Sequence, residues 1–257
     1  MNGVSIVIPT YNRISLLVRL LESIRLQTYK NYEIIIVDDN SLNIDKYNEI
    51  IEDYKEIFDE LIYVRNNKNK GAPYSRNRGI KLAKFDLIAL VDDDEEWLPN
   101  KLQKQVEVFE SSSKKVGIVY TWANVIDNSG RIIYKYRSEI ESNPIYNIVK
   151  ENFICSASVM VKKKIIMEAG LFDENLPSCQ DWDMWLRILK KGYHCKVVKE
   201  LLTLSYKHDK PSIGKSNYAK MGFRLFYIKH FFFYLKILIS KFDFLEILKV
   251  TKNIILF

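Results

Sequence analysis

The feature that most constrains this chain is a pattern repeated along its first hundred residues. A short apolar run stops abruptly in a polar cluster, and a segment of helical periodicity follows. Val4-Ser5-Ile6-Val7-Ile8-Pro9 ends in Thr10-Tyr11-Asn12, and Glu33-Ile34-Ile35-Ile36-Val37 ends in Asp38-Asp39-Asn40-Ser41. Asp86-Leu87-Ile88-Ala89-Leu90-Val91 runs into five consecutive acidic residues, Asp92 to Glu96. Runs that are apolar at nearly every position suit strands covered on both faces, as in a parallel sheet. Between them, Leu16, Leu17, Leu20, Leu21 and Ile24 recur at helical spacing. Ile44–Ile57 and Tyr74–Lys84 read as further helices and Leu61–Val64 as another strand. This alternation predicts an α/β fold on a parallel sheet, whose ligands bind at the carboxyl ends of the strands. All three polar clusters sit at such ends.

The second half is less regular. Val116–Trp122 and Ser156–Lys162 read as strands, Arg131–Tyr136 as the edge arm of a hairpin, and Asp181–Lys191 as a helix. The chain carries 39 Lys plus Arg against 32 Asp plus Glu, a net charge of +7. Residues 1–195 hold 27 basic and 28 acidic side chains, while residues 196–257 hold 12 and 4, so the surplus belongs to the tail. From Phe223 onward 23 of 35 residues are apolar, interrupted by lysines, so this segment must be buried somewhere. A basic, aromatic-rich segment suits an anionic membrane interface, and a helix pair packed on the domain or on a second copy is the alternative. Nucleic-acid binding is disfavoured, because the tail is strongly aliphatic and carries no recognition motif. Cys155, Cys179 and Cys195 are too few and too scattered for a disulfide framework and read as packing residues of a reducing compartment. Neither a secretory signal nor a run of about 18 apolar residues is present, so no transmembrane anchor is expected.

The acidic run carries the strongest chemistry. Its mutual repulsion must be relieved by water, a cation or a basic ligand. Mg²⁺ or Mn²⁺ is commonly shared between one or two carboxylates and the phosphates of a nucleotide, whereas a solvated turn capping the helix that starts near Pro99 is the plain alternative. Asp38-Asp39 suits hydrogen bonding to a base or ribose. Thr10-Tyr11-Asn12 serves equally as a helix N-cap, and the aspartates of Asp181–Lys191 as the solvent face of an amphipathic helix.

Taken in order, these segments resemble the family 2 inverting glycosyltransferases of the GT-A fold, of the type that builds bacterial surface polysaccharides. The resemblance rests on Val4 to Arg13, Ile36-Val37-Asp38-Asp39-Asn40-Ser41, Asn69 to Asn77, and Leu90 to Leu102, which holds a DxD-like region with a trailing W-x-P-x-K-L. Gly170-Leu171-Phe172-Asp173-Glu174 and Gln180-Asp181-Trp182-Asp183-Met184-Trp185-Leu186-Arg187 complete it, so that it covers roughly residues 3–210.

The resemblance implies a Rossmann-like nucleotide-binding sheet with helices on both faces over residues 1–210, followed by a basic, apolar helical tail over 211–257. The nucleotide-sugar half would occupy about residues 1–100 and the acceptor half about 101–210. It implies transfer of a sugar from a nucleotide diphosphate donor, UDP-sugar favoured, to an acceptor hydroxyl on a lipid-linked saccharide. Pro9, Thr10, Tyr11, Asp39, Arg76, Asp92 and Asp93 would line the nucleotide-sugar site. Asp94, with His208, would hold Mn²⁺ or Mg²⁺. Asp181 would be the catalytic base and Asp183 its understudy. Gln180 departs from the family's usual Glu, removing a charge beside Asp181. The enzyme would work in the cytoplasm on the inner face of the cell membrane, touching it peripherally through residues 223–257, with a homo-oligomer allowed. A noncatalytic nucleotide-sugar-binding partner of another glycosyltransferase is the competing reading, and intact Asp94 and Asp181 stand against it.

Overall fold

A computed structural model describes residues 3–127, 129–207 and 217–255. The parallel core is β1 (Val4–Thr10), β2 (Tyr32–Asp38), β3 (Leu61–Arg65) and β4 (Leu87–Leu90). Their connections are α1 (Ile14–Arg25), α2 (Ile44–Ile57) and α3 (Ala72–Leu82). After β4 come β5 (Glu96–Trp97), α4 (Lys101–Ser111), β6 (Val116–Ile126), β7 (Ile132–Tyr136) and α5 (Ile145–Lys150). Then follow β8 (Met160–Lys162), α6 (Lys163–Glu168), α7 (Gln180–Lys190), β9 (His194–Tyr206), α8 (Asn217–Ser240) and α9 (Phe244–Ile255).

The sheet order is β3-β2-β1-β4-β8-β6-β9-β5, with β7 paired to β6. β1 pairs in parallel with both β2 and β4, which aligns Thr10 with Asp38 and brings the three polar clusters to one edge. Every residue of β1 is buried, as a strand covered on both faces requires. Gly79 lets α3 lie against β1, since a Cβ there would come within 2.5 Å of Val7 Cγ1.

The expected α/β sheet is therefore present, with three differences in detail. Ser156–Lys162 is not one strand: Ser156–Ser158 forms a 3-10 turn, with Ser158 Oγ donating to Cys155 O at 2.7 Å, and only Met160–Lys162 pairs. The strand starting at Val116 runs on to Ile126, because its far half pairs with both β7 and β9. β9 was not anticipated at all. Its polar and apolar residues do not alternate cleanly, and its parallel pairing to β6 is a nonlocal property.

The tail packs on the domain through one face only. Phe226, Tyr227, His230, Tyr234 and Leu238 of α8 are buried, joined by Val250 of α9. Phe232, Phe242 and Leu245 remain 84%, 80% and 76% exposed. Among the described residues no helix is long and apolar enough to cross a membrane.

Candidate active site

The acidic run is neither a solvated turn nor a helix cap. Asn100 occupies the cap position of α4, and the first turn of that helix holds no acid. Asp93 and Glu95 point inward and are buried, while Asp92, Asp94 and Glu96 are half-buried. Thr10 Oγ1 donates to Asp93 Oδ2 at 2.7 Å, so Thr10 is bound to the acidic run instead of capping α1. Arg13 donates through NH1 to Asp94 Oδ2 at 2.7 Å and reaches Asp93 Oδ1 at 3.4 Å. Arg19 binds the Asp94 carbonyl at 2.6 Å and Glu96 at 3.0 Å, with its guanidinium 3.5 Å over the Tyr206 ring. Glu95 and Glu96 are thereby tied to the end of β9, by Ser205 Oγ at 3.1 Å and Tyr206 OH at 2.5 Å. Asp92 and Asp94 are left partly exposed at the strand-end edge, with Asp93 buried between them.

These basic partners do not cancel the acid. Burial pushes the Asp93 carboxyl up to about 7, with Asp94 and Asp92 adding repulsion that Thr10 and Arg13 offset only in part. Burial likewise holds Glu95 well above the ordinary range, reinforced by Asp94 and Asp92. Its Oε2 is buried without a hydrogen-bond partner.

The remaining expected nucleotide-site residues lie around this cluster. Pro9 is buried within β1 and Tyr11 is 43% exposed beyond its end. Asp39 accepts from Asn66 Nδ2 at 2.7 Å and from the backbone N–H groups of Lys70 and Gly71 at 2.9 and 2.7 Å. It therefore already holds the loop before α3, and a base would share its oxygens with that loop. Arg76, buried near the start of α3, donates to Asp92 Oδ1 at 2.5 Å. Its charge acts most on Asp92, to which it is bonded, and less on Asp181 and Asp94. The trailing W-x-P-x-K-L is a structural plug beneath the run. Trp97 Nε1 donates to Ala157 O at 3.1 Å, and Lys101 Nζ sits 3.9 Å over the Trp97 ring and donates to Gln105 at 2.8 Å.

Asp181 lies in the first turn of α7, accepting from Asn152 Nδ2 at 3.0 Å. Burial raises its pKa, opposed by the Trp182 N–H, Arg76 and Asn152. A partly exposed aspartate of raised pKa is chemically suited to taking a proton. Gln180 turns away, donating to Leu176 O at 2.8 Å. Asp183 is a different case, and its place as understudy must be corrected. It is fully buried, with Lys229 Nζ and His230 Nε2 both 2.8 Å from Oδ1 and Arg187 NH2 2.7 Å from Oδ2. Burial alone would raise its pKa, but these donors hold it well below the usual carboxylate range, so it is a poor proton acceptor. Nor do these aspartates form a solvent face of the helix.

The G-x-F-D-E loop is pinned from both sides. Asn77 donates to Phe172 O at 2.9 Å and Glu174 Oε1 at 2.8 Å, while Arg187 NH2 binds Leu171 O at 2.6 Å. A cavity of about 450 Å³ beside it is lined by Asn77, Lys81, Phe172, Asp173, Arg187 and Lys229. None of Asp92, Asp93, Asp94 or Asp181 lines it. Arg13 and Asn152 are site residues that residue-by-residue reading passed over. Arg13 had a signal, standing three residues after Thr10 at the mouth of β1, whereas nothing in the sequence ties Asn152 to Asp181.

His208 lies outside the described residues. Among those described, no group of three His, Cys, Asp or Glu closes on a point that would hold an ion. The donor set instead fits a cation completed by a ligand: hard carboxylate oxygens, in excess over their basic partners, of which one or two suffice when phosphates supply the rest.

The comparisons with known proteins agree with this geometry. Residues 5–168 match the family described as Glycosyl transferase family 2. An uncharacterised glycosyltransferase of Methanocaldococcus jannaschii is 34% identical over 203 residues, spanning 77% of this chain and 69% of that protein. The amylovoran biosynthesis glycosyltransferase AmsB of Erwinia amylovora is 32% identical over 77% of this chain and 67% of its own length. Among solved structures, S. aureus TarS 1-349 in complex with UDP-GlcNAc superposes with a TM-score of 0.69 at 18% identity, over 88% of this chain and 66% of that one. The mannosyltransferase PcManGT from Pyrobaculum calidifontis, in complex with GDP-Man and Mn²⁺, gives 0.71 at 14% identity, over 98% and 74%. The structures speak for the GT-A fold, and the sequence matches carry the family. With the acidic run closing on a buried arginine at the strand ends, this chain belongs to glycosyltransferase family 2.

Proposed function

We propose that the protein transfers a sugar from a nucleotide diphosphate donor, with UDP the favoured nucleotide, to an acceptor hydroxyl with inversion at the anomeric carbon. The observation that supports this is buried Arg76, which donates to Asp92 Oδ1 at 2.5 Å at the head of the acidic run and whose charge also favours the ionised form of Asp181. Residues 1–100 would hold the nucleotide, with Thr10, Tyr11 and Asp39 around base and ribose and Asp93 near the ribose. A diphosphate would draw Arg76 from Asp92, which a planar bidentate donor is suited to do. Asp94 would hold Mn²⁺ or Mg²⁺, with Asp92 supporting the turn. That cation would supply Lewis-acid stabilisation of the departing diphosphate. Asp181 takes the acceptor hydroxyl proton as its oxygen bonds to the anomeric carbon and the bond to the diphosphate breaks. Residues of about 101–210 would frame the acceptor.

The relative AmsB, named for amylovoran biosynthesis, supports a role in polysaccharide assembly, for which we propose a lipid-linked acceptor on the inner face of the cell membrane. The exposed aromatic and lysine-bearing outer face of α8 and α9 supports peripheral contact with anionic lipid. The test is a panel of nucleotide sugars scored with Mn²⁺ by thermal shift, since a ligand at 100 times its Kd stabilises by about 2.7 kcal/mol. Turnover assays on hits follow. A shift by at least one nucleotide sugar, with turnover lost in Asp94→Ala and Asp181→Asn, is expected. No shift by any donor, or wild-type turnover in both variants, would overturn the proposal.

A further inference from the structure

We propose that α8, the first helix of the tail, is part of the catalytic apparatus: through Gly222, Phe226, Lys229 and His230 it positions the segment that carries Asp181. This rests on the assignment of Asp181 as the base and adds to it a set of positioning residues outside the region matched by the family, residues 5–168.

Three contacts carry the inference, and they bracket Asp181 in the chain. Before it, α8 lies so close to Ser178 that a Cβ on Gly222 would collide with the Ser178 side chain and its backbone nitrogen. Ser178 Oγ also donates to Ala219 O of α8 at 3.1 Å. The next residue, Cys179, has a φ of 61°, a left-handed conformation that a non-glycine residue keeps only where its surroundings fix it. This bend sets the direction in which α7 leaves the loop. Immediately after Asp181, the Trp182 ring rests on Phe226 with centroids 4.6 Å apart, and its indole N–H is anchored on Ile148 O at 2.6 Å. One residue further, Asp183 takes Lys229 and His230 on one oxygen and Arg187 on the other.

Among the described residues Asp181 itself makes no hydrogen bond to α8. Its oxygen faces Asn152 and the field of Arg76, so the helix acts on the backbone that bears the base and not on the reacting atoms. Displacements of about 1 Å in a catalytic group cost on the order of 100-fold in rate. The contacts of α8 are the kind that prevent such a displacement. A packing helix on the far side of the domain would leave kcat alone; one that grips the residues on both sides of the base would not.

The variants His230→Ala and Gly222→Val test this. His230→Ala leaves Asp183 paired with Lys229 and Arg187, so the protein should remain folded. Hydrolysis of UDP-glucose, UDP-N-acetylglucosamine and GDP-mannose is followed with Mn²⁺. The expected result in both variants is a kcat reduced about 10- to 100-fold with donor KM within about twofold. His230→Gln, whose amide nitrogen reaches the same Asp183 oxygen, should restore most of the rate. Placed on Asp181→Asn, His230→Ala should add no further loss, because both changes remove one function. Wild-type kcat in both variants, or a loss that multiplies in full onto Asp181→Asn, would overturn the proposal. Hydrogen exchange supplies a readout free of turnover: amides of residues 178–184 should exchange faster in both variants and those of 88–97 should not change. Unchanged exchange at 178–184 also overturns it. If exchange responds as expected but wild type turns over none of the three, their use as donors is refuted while the grip of α8 on this segment stands.

Discussion

Two clusters of carboxylates in this molecule have opposite electrostatic fates. Around Asp183, two cations and a histidine converge on a single buried acid and hold it ionised. Around Asp92, Asp93 and Asp94, three acids and a buried glutamate share Arg13, Arg19 and Arg76, and burial pushes Asp93 up to about 7. With Asp173 also holding Lys229 at 2.6 Å, the Asp183 cluster balances its own charge and is scaffold, because nothing need be added to it. A cluster left with surplus charge at a strand end is poised for a ligand that brings the missing positive charge. The difference separates architecture from chemistry more sharply than acid content does.

The comparison can be broken in order of effect. Asp181→Asn should cost on the order of 100- to 10,000-fold in kcat, since it removes a general base, with little change in melting temperature. Asp183→Ala should do the reverse to stability, destabilising by about 1–3 kcal/mol in urea unfolding, because it removes a fully buried acceptor shared by Arg187, Lys229 and the buried His230. Asp94→Asn should change stability by less than about 1 kcal/mol, since its Arg13 partner is half exposed, while abolishing metal-stimulated turnover. If Asp94→Asn unfolded the protein and Asp183→Ala did not, the division into scaffold and chemistry would be inverted. The tail offers a parallel contrast: Phe226→Ala should cost about 3–5 kcal/mol, and Phe232→Ala should stay within about 0.5 kcal/mol.

The smallest effect concerns pH. Asn152 stabilises the ionised form of Asp181, so its removal by Asn152→Ala should raise the Asp181 pKa further. The base works only when deprotonated, so the acid limb of the rate profile should move to higher pH. A limb that stayed in place or moved down would contradict the hydrogen bond's role.

Much of this was legible in the sequence, for a physical reason. The parallel strands announce themselves because both faces are buried, so Val4–Pro9 and Glu33–Val37 are apolar almost throughout. Their polar ends are equally plain, and so the acidic run and Thr10 fell together as expected. The fate of Asp183 was not legible, because its partners Lys229 and His230 lie 46 and 47 residues away on a helix whose apolar residues run all round it. A wheel of α8 shows lysines but not which of them face an acid. The same nonlocality hid Asn152 and β9, and Ser156–Ser158 became a turn because Ser158 satisfies a backbone carbonyl three residues back.

The most direct test of the central assignment is release of nucleoside diphosphate from a panel of UDP- and GDP-sugars with Mn²⁺, run in parallel on wild type, Asp181→Asn and Asp183→Asn, each first confirmed folded by hydrogen exchange. Turnover by wild type, its loss in Asp181→Asn at unchanged fold, and a defect in Asp183→Asn that tracks lost protection at residues 178–184 is the predicted result. Equal turnover by wild type and Asp181→Asn would contradict it.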